Sequence, residues 1–274
     1  MRILLIGDIV GKPGRRIVKQ ALPGLVDREQ INLVVANAEN SAAGSGLTPA
    51  NYEELMAAGV HAITLGDHIY RRREIYRILE TKDNIVKPAN YPADAPGKDY
   101  AVVQTSSGIS VAIISLIGRV FMKPVDCPFA AVDRVLDKLD KTVKIIVVDL
   151  HAEATSDKQA MGRYLDGRVS AVLGTHTHVT TADECILPGG TAFQCDIGMT
   201  GPHDGILGRR ADRVIETTRT FRPLPFDVSS GDVRISATLI DIDQDSGKST
   251  AIRRVRISEE EALLLAQSAT TSSA

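Results

Sequence analysis

The sequence predicts a layered α/β sandwich whose sheets are mixed rather than purely parallel. Three observations carry this. Short apolar runs alternate with amphipathic segments through most of the chain, which argues for sheets covered by helices. Ser107-Gly108 lies between two β-rich runs and reads as a hairpin turn. Near the C-terminus, "DVRISATLIDID" and "TAIRRVRIS" alternate like half-exposed antiparallel strands. The hairpins require antiparallel neighbours, so a simple doubly wound sheet fits less well.

Taken in order, Ile3–Ile6 is an apolar strand ended by Gly7-Asp8, and a helix follows from about Arg15 to Arg28. Leu33–Ala36 is the second strand. Thr48 as N-cap with Pro49 at the first helical position starts a helix that reaches Ala58, and Gly59 closes it. "VHAITLGD" is the third strand, and "RRREIYRILE" continues as a helix with Ile75, Ile78 and Leu79 on one face. "YPADAPGKDY" is a loop by composition. A helix from about Phe129 to Leu139 leads to the apolar strand in "KIIVVDLHAE". "SDKQAMGRYLDG" is helical with Ser156 or Asp157 as cap, and "VSAVLGTHTH" is a further strand. "GTAFQCDIGMTGPHDG" reads as a short strand and a glycine-rich loop. With 274 residues and 43% hydrophobic content, one domain over 1–265 is expected, and 266–274, "AQSATTSSA", reads as a disordered tail.

Composition excludes several classes. Lys plus Arg, 32, nearly balances Asp plus Glu, 34, so no broad basic surface is available for nucleic acid. The three cysteines form no CxxC pair and no disulfide framework. The N-terminal "MRILLIGDIVG" turns polar too early for a signal peptide, and no apolar run reaches spanning length. The expectation is a cytoplasmic protein with no membrane partner.

Most strong strands end in acids, amides or histidines: Asp8; Asn37, Glu39 and Asn40; Asp67 and His68; Asp149, His151 and Glu153; His176 and His178. The C-terminal edge of an α/β sheet is where loops converge on ligands. Four of the six histidines fall in these segments. Imidazoles with carboxylates suit Fe, Mn or Zn. His176 and His178 point to one side if extended, and could reach two ions if they lie in a loop. In "GDIVGKPGRR" the glycines and cations near a helix start make Lys12 and Arg15 candidate phosphate contacts, although a P-loop ending is absent.

Together "GDIVGKPGR", "VANAEN", "TLGDHIY", "DLHAEATSDK", "LGTHTHVTTAD" and "DIGMTGP" resemble the calcineurin-like metallophosphoesterases, and within them the bacterial YmdB-like phosphodiesterases. The resemblance spans Gly7 to Pro202. It implies a four-layer αββα sandwich with a two-metal centre, Fe or Mn. Asp8, Asn40 and His178 would bind the first metal, and Glu39 would bridge. Asp67, His151 and His176 would bind the second, with His68 as proton donor. A water or hydroxide held between the cations would attack phosphorus in line. The implied substrates are phosphodiesters, including 2',3'- or 3',5'-cyclic nucleotides and RNA-derived ends. The alternatives are a regulatory nucleotide- or RNA-end-binding protein with little turnover, and a phosphomonoesterase. A homo-oligomer stays open, since no stretch identifies an interface. The chain departs from the family at position 67, where Asn is usual and Asp stands here.

Overall fold

The structure, a computed structural model, describes residues 1–272. The chain opens with β1 (Arg2–Ile6), β2 (Asp8–Ile9), α1 (Gly11–Glu29), β3 (Leu33–Asn37), α2 (Pro49–Ala57) and β4 (Ala62–Thr64). A 3₁₀ turn over Ile69–Arg71 leads to α3 (Ile75–Thr81) and β5 (Ile85–Val86). The hairpin β6 (Tyr100–Gln104) and β7 (Ser110–Ile117) precedes α4 (Pro128–Lys138), β8 (Ile145–His151), α5 (Thr155–Tyr164) and β9 (Ala171–Thr175). Three short strands follow, β10 (Cys185–Ile186), β11 (Ala192–Gln194) and β12 (Met199–Pro202). The chain then forms α6 (Ala211–Thr220), the hairpin β13 (Val233–Ile242) and β14 (Ser249–Ser258), and α7 (Glu259–Ser272).

Two mixed sheets result. One runs β2-β12-β13-β1-β3-β4-β5 with β14 on β13, and the other runs β10-β11-β9-β8-β7-β6. Strands β1, β3, β4 and β5 are mutually parallel, as are β7, β8, β9 and β11. The antiparallel pairs are the β13–β14 and β6–β7 hairpins, β13 against β1 and β12, and β10 against β11.

The period of two in the strands sorts the core into layers. Ile3, Leu5, Leu33, Val35, Val111, Ile113, Ile145, Val147, Ala171 and Leu173 lie in one buried cluster between the sheets. Their alternates Leu4, Ile6, Val34 and Ala36 pack on residues of α1, α2, α3 and α7. Ala112, Ile114, Val148 and Val172 pack on α4 and α5. This is the four-layer αββα sandwich.

Thr48 caps α2 as read from the sequence, its hydroxyl accepting from the Asn51 amide at 3.3 Å. Other readings shift. Helix α1 starts at Gly11, four residues before the expected Arg15, because the Gly11 N–H is held by the Asn40 carbonyl at 2.9 Å. Arg71–Glu74 stand outside α3. Asp157 lies within the first turn of α5 and accepts from the Arg119 and Val120 amides at 2.8 and 2.9 Å, so it ties down the loop after β7 instead of capping. Helix α6 buries none of its residues, so it left no core pattern to read. The expected tail at 266–274 is helical through Ser272, and 273–274 lie outside the described residues. Ala262 and Leu265 bury the start of this helix against α1, where only a glycine fits: a Cβ on Gly24 would sit 2.2 Å from the Leu265 carbonyl oxygen.

Candidate metal centre

The same alternation that builds the apolar layer between the sheets ends it in polar side chains. One step of two beyond Val35 is Asn37, beyond Ala62 is Thr64, beyond Val147 is Asp149, and beyond Leu173 is Thr175. All four are buried. The Thr64 and Thr175 hydroxyls donate to Asp149 at 2.5 and 2.6 Å, and Asn37 Nδ2 donates at 3.1 Å. Burial pushes the Asp149 carboxyl up, against the two hydroxyls and His151.

One further step along β8 stands His151, fully buried. The Thr175 hydroxyl gives its proton to Asp149, so it accepts from His151 Nδ1 at 2.9 Å. That fixes the ring with Nε2 pointing at Glu39 Oε1, 3.1 Å, and Asp67 Oδ1, 3.2 Å. A Cβ at position 66 would lie 2.2 Å from the His151 ring, which is why a glycine precedes Asp67.

His176 and His178 do not point to one side. Strand β9 ends at Thr175, and both histidines take positive φ, 97° and 65°. Such conformations are costly for non-glycine residues and need outside support. Asp196 provides it, accepting from the Thr177 amide and hydroxyl at 3.1 and 2.8 Å and from Gly198 N at 2.8 Å. The buried Lys158 ammonium pairs with the same carboxylate at 2.7 Å. Asp8 Oδ2 accepts the His176 N–H at 3.0 Å.

The loop therefore sends its two rings to different places. His176 Nδ1 lies 3.0 Å from His151 Nε2 and 3.5 Å from Asp67 Oδ1. His178 Nε2 lies 3.3 Å from Asn40 Nδ2 and 3.7 Å from Asp8 Oδ1. Glu39 stands between the groups, its Oε1 accepting from Asn40 Nδ2 at 3.3 Å as well as from His151. Asn40 Nδ2 also donates to Asp8 Oδ1 at 3.3 Å. His68 sits beside both, with Nδ1 donating to Asn40 Oδ1 at 2.7 Å, Nε2 3.8 Å from Asp67 Oδ2, and its backbone N–H on Glu39 Oε2 at 2.9 Å.

Electrostatics make this a cation site. Burial opposes ionisation of Asp8, yet the hydrogen bond and charge of His178, with His151, hold its pKa well below the usual carboxylate range. Asp67 is held low by His151, His68 and His176 against its own burial. Burial favours neutral His151, but Glu39, Asp67 and Asp8 raise its pKa well above the usual value. His178 is likewise raised by Asp8 against burial, whereas burial and the His151 charge lower His176.

The donor set fits metal ions on one observation. Each of the three inner rings has its outer nitrogen on an acceptor: His151 on Thr175, His178 on the Leu207 carbonyl at 3.2 Å, His176 on Glu153 at 3.3 Å. Each inner nitrogen faces carboxylates. That is how ligating imidazoles are oriented. Glu39, Asp67, His151 and His176 offer ligand atoms all within 4.8 Å of one another. Loading must release the protons on the inner nitrogens, so metal uptake weakens as pH falls.

The sequence marks Asn37, Asp149 and Glu153 as polar strand ends without a role in the site, and it assigns none to Thr64, Thr175, Lys158 and Asp196. Arg15 carries its guanidinium onto Glu54 at 2.6 Å and onto the Ser41 carbonyl, bracing the loop that follows Asn40. Lys12 is exposed on the first turn of α1. His203 donates from Nδ1 to the Gly201 carbonyl at 2.9 Å.

Fold and site together define a class, the phosphoesterases of the metallophosphoesterase type. Within it the chain belongs to the YmdB-like family, whose model matches residues 4–255. It is 45% identical over 260 residues to the 2',3'-cyclic-nucleotide 2'-phosphodiesterase of Bacillus subtilis, covering 95% of this chain and 98% of that one. A crystal structure of a hypothetical protein from Thermus thermophilus superposes with TM-score 0.89 at 42% identity, covering 94% of this chain and all, 100%, of the other. A phosphatase structure from Mycoplasma pneumoniae gives 0.88 at 31% identity, covering 94% and 93%. Among the described residues no helix is long and apolar enough to cross a membrane.

Proposed function

We propose that the protein is a cytoplasmic phosphodiesterase acting on 2',3'-cyclic nucleotides and related nucleotide diesters through a centre of two iron or manganese ions. The observation that carries this reading is the position of Glu39, within hydrogen-bond distance of both the Asn40 amide, which also touches Asp8 and His178, and the His151 ring beside Asp67 and His176. The name of the Bacillus subtilis relative supplies the substrate class. A diester is favoured over a monoester by the open cleft of about 520 Å³ beside Asp67, which leaves room for a second substituent on phosphorus.

Asp8 and His178 would hold one ion, joined by Asn40 once its side-chain amide turns to present Oδ1 in place of the Nδ2 that faces them. Asp67, His151 and His176 would hold the other, and Glu39 would serve both. When bound, the ions offset charge on the phosphoryl oxygens and acidify water for in-line attack. The rest is the work of side chains. His68 Nδ1 is engaged by the Asn40 side-chain amide at 2.7 Å, whichever end of that amide meets it, so Nε2 is the atom left to donate a proton to the leaving oxygen. His68→Ala is expected to lower kcat on a cyclic nucleotide by about 10²–10⁴-fold with metal content intact. The loss shrinks for a nitrophenyl leaving group, which departs without help. Equal losses on both substrates would contradict the acid role.

Asp67 donates a full negative charge where an asparagine would offer a neutral oxygen. It would hold a bound ion more tightly and weaken that ion's acidification of water. Asp67→Asn therefore keeps metal and moves the acidic limb of the kcat/KM profile to lower pH, by on the order of half a unit to one unit. An unmoved limb with unchanged metal content counts against this. The direct test of substrate class is product analysis by chromatography: adenosine 2',3'-cyclic phosphate should yield a single nucleoside monophosphate, with no further release of inorganic phosphate. Release of phosphate from monoesters at a comparable rate would replace this reading with a phosphomonoesterase.

A further inference from the structure

The cleft beside Asp67 is built from three separate segments. The 3₁₀ turn after β4 gives Tyr70 and Arg71, the loop after β5 gives Tyr91, and the loop after β7 gives Lys123. Its volume, about 520 Å³, falls within the roughly 300–1,000 Å³ of sites that enclose a small ligand. Asp67 forms one wall of it, so the cleft opens directly onto the centre. The Tyr70 and Tyr91 rings lie with centroids 6.0 Å apart, tilted by 34°. The Tyr70 hydroxyl is already engaged, donating to the Pro96 carbonyl at 2.6 Å. Its ring, not its hydroxyl, is what it offers to the cleft.

The chain has no tryptophan and only 4% aromatic residues, so two tyrosines beside an ionic centre form a stacking surface of the kind that takes a nucleobase. The two cations add a second requirement. Arg71 and Lys123 are exposed and line the cleft, and neither side chain has an ionic partner among the described residues. The reacting phosphate is neutralised at the centre, and the metal ligands include neither residue. A pair of cations without ionic partners lining an aromatic cleft fits another anion.

Building on the phosphodiesterase reading, we propose that this cleft seats a nucleoside bearing a second phosphate, its base against Tyr70 and Tyr91 and that phosphate on Arg71 and Lys123. The preferred substrate is then the end of an oligonucleotide rather than a free cyclic mononucleotide. A short end needs only a local cationic pair, which agrees with a formal net charge of -2.

Calorimetric titration of the manganese-loaded chain with adenosine 3',5'-bisphosphate and with adenosine 3'-monophosphate tests this. The bisphosphate is expected to bind at least about tenfold more tightly at low salt, and the ratio should fall as salt rises. In the double variant R71A/K123A the ratio should drop to about one. A ratio near one in the unmodified chain, or a ratio that survives the double substitution, overturns the subsite. Failure of both probes to bind overturns it too. Hydrolysis of a bis-aryl phosphodiester by the unmodified chain decides the other question. Turnover with a ratio near one removes the subsite alone, and a large ratio without turnover removes the phosphodiesterase reading alone.

Discussion

Glu39→Gln is expected to reduce phosphodiester turnover by roughly 10³-fold or more, which corresponds to about 4 kcal/mol of barrier. The carboxylate is fully buried and has no slack: Oε1 serves His151 and Asn40, and Oε2 accepts the His68 amide. A glutamine can keep the contact to the His68 N–H, but its other terminus becomes a donor facing donors. One negative charge is then missing where both groups of ligating side chains meet, and on the proposed two-ion reading the ions would lose the group they share. The variant should still fold, because Asp67 and Asp8 remain to face the buried His151 and His178 rings in the metal-free protein. Thermal melts separate the two effects. Metal-free Glu39→Gln should melt at about the same temperature as the parent, while the upward shift on adding manganese should largely vanish. A manganese shift as large as that of the parent would show that Glu39 is not shared.

Asp196→Ala is expected to cost about 3–5 kcal/mol of folding stability, the largest loss foreseen for any single substitution outside the apolar core. It leaves the Lys158 ammonium buried at 2% side-chain exposure with no counter-charge, and orphans the Thr177 and Gly198 amides. Lys158→Met is expected to cost less, because Asp196 keeps three hydrogen bonds from Thr177 and Gly198. Urea unfolding followed by circular dichroism gives both values. Activity should fall with Asp196→Ala beyond what instability explains, since the positive-φ turns at His176 and His178 lose their anchor. Equal, small losses in the two variants would mean that the pair is not what holds this loop.

The parts of the fold that the sequence made legible are those governed by local rules. The short apolar runs in Leu33–Asn37, Ile145–His151 and Ala171–Thr175 set the strands, and the Thr48-Pro49 pair set the start of a helix. The acids and imidazoles at strand ends were legible because they cluster in short motifs. What escaped depends on distance. Lys158 and Asp196 are 38 residues apart and touch only because α5 packs beside the loop before β12. The cleft beside Asp67 is assembled from three loops, none with a pattern of its own. The layer of Asn37, Thr64, Asp149 and Thr175 did carry a signal: each continues the in-facing parity of its strand by one step, where an isolated polar residue looks like an ordinary strand end. Position 66 shows the reverse case, in which a glycine is required by a histidine 85 positions later in the chain, a partner no local window contains.

The measurement that bears most directly on the whole account is metal content taken together with turnover on one sample. The protein would be purified without chelator, its metals counted by plasma mass spectrometry, and hydrolysis of a bis-aryl phosphodiester followed during a manganese titration, with Glu39→Gln alongside. The account predicts about two ions per chain, turnover that saturates with manganese, and loss of both in the variant. A chain that stays metal-free after manganese is supplied, or that hydrolyses the diester equally well with and without metal, would contradict it.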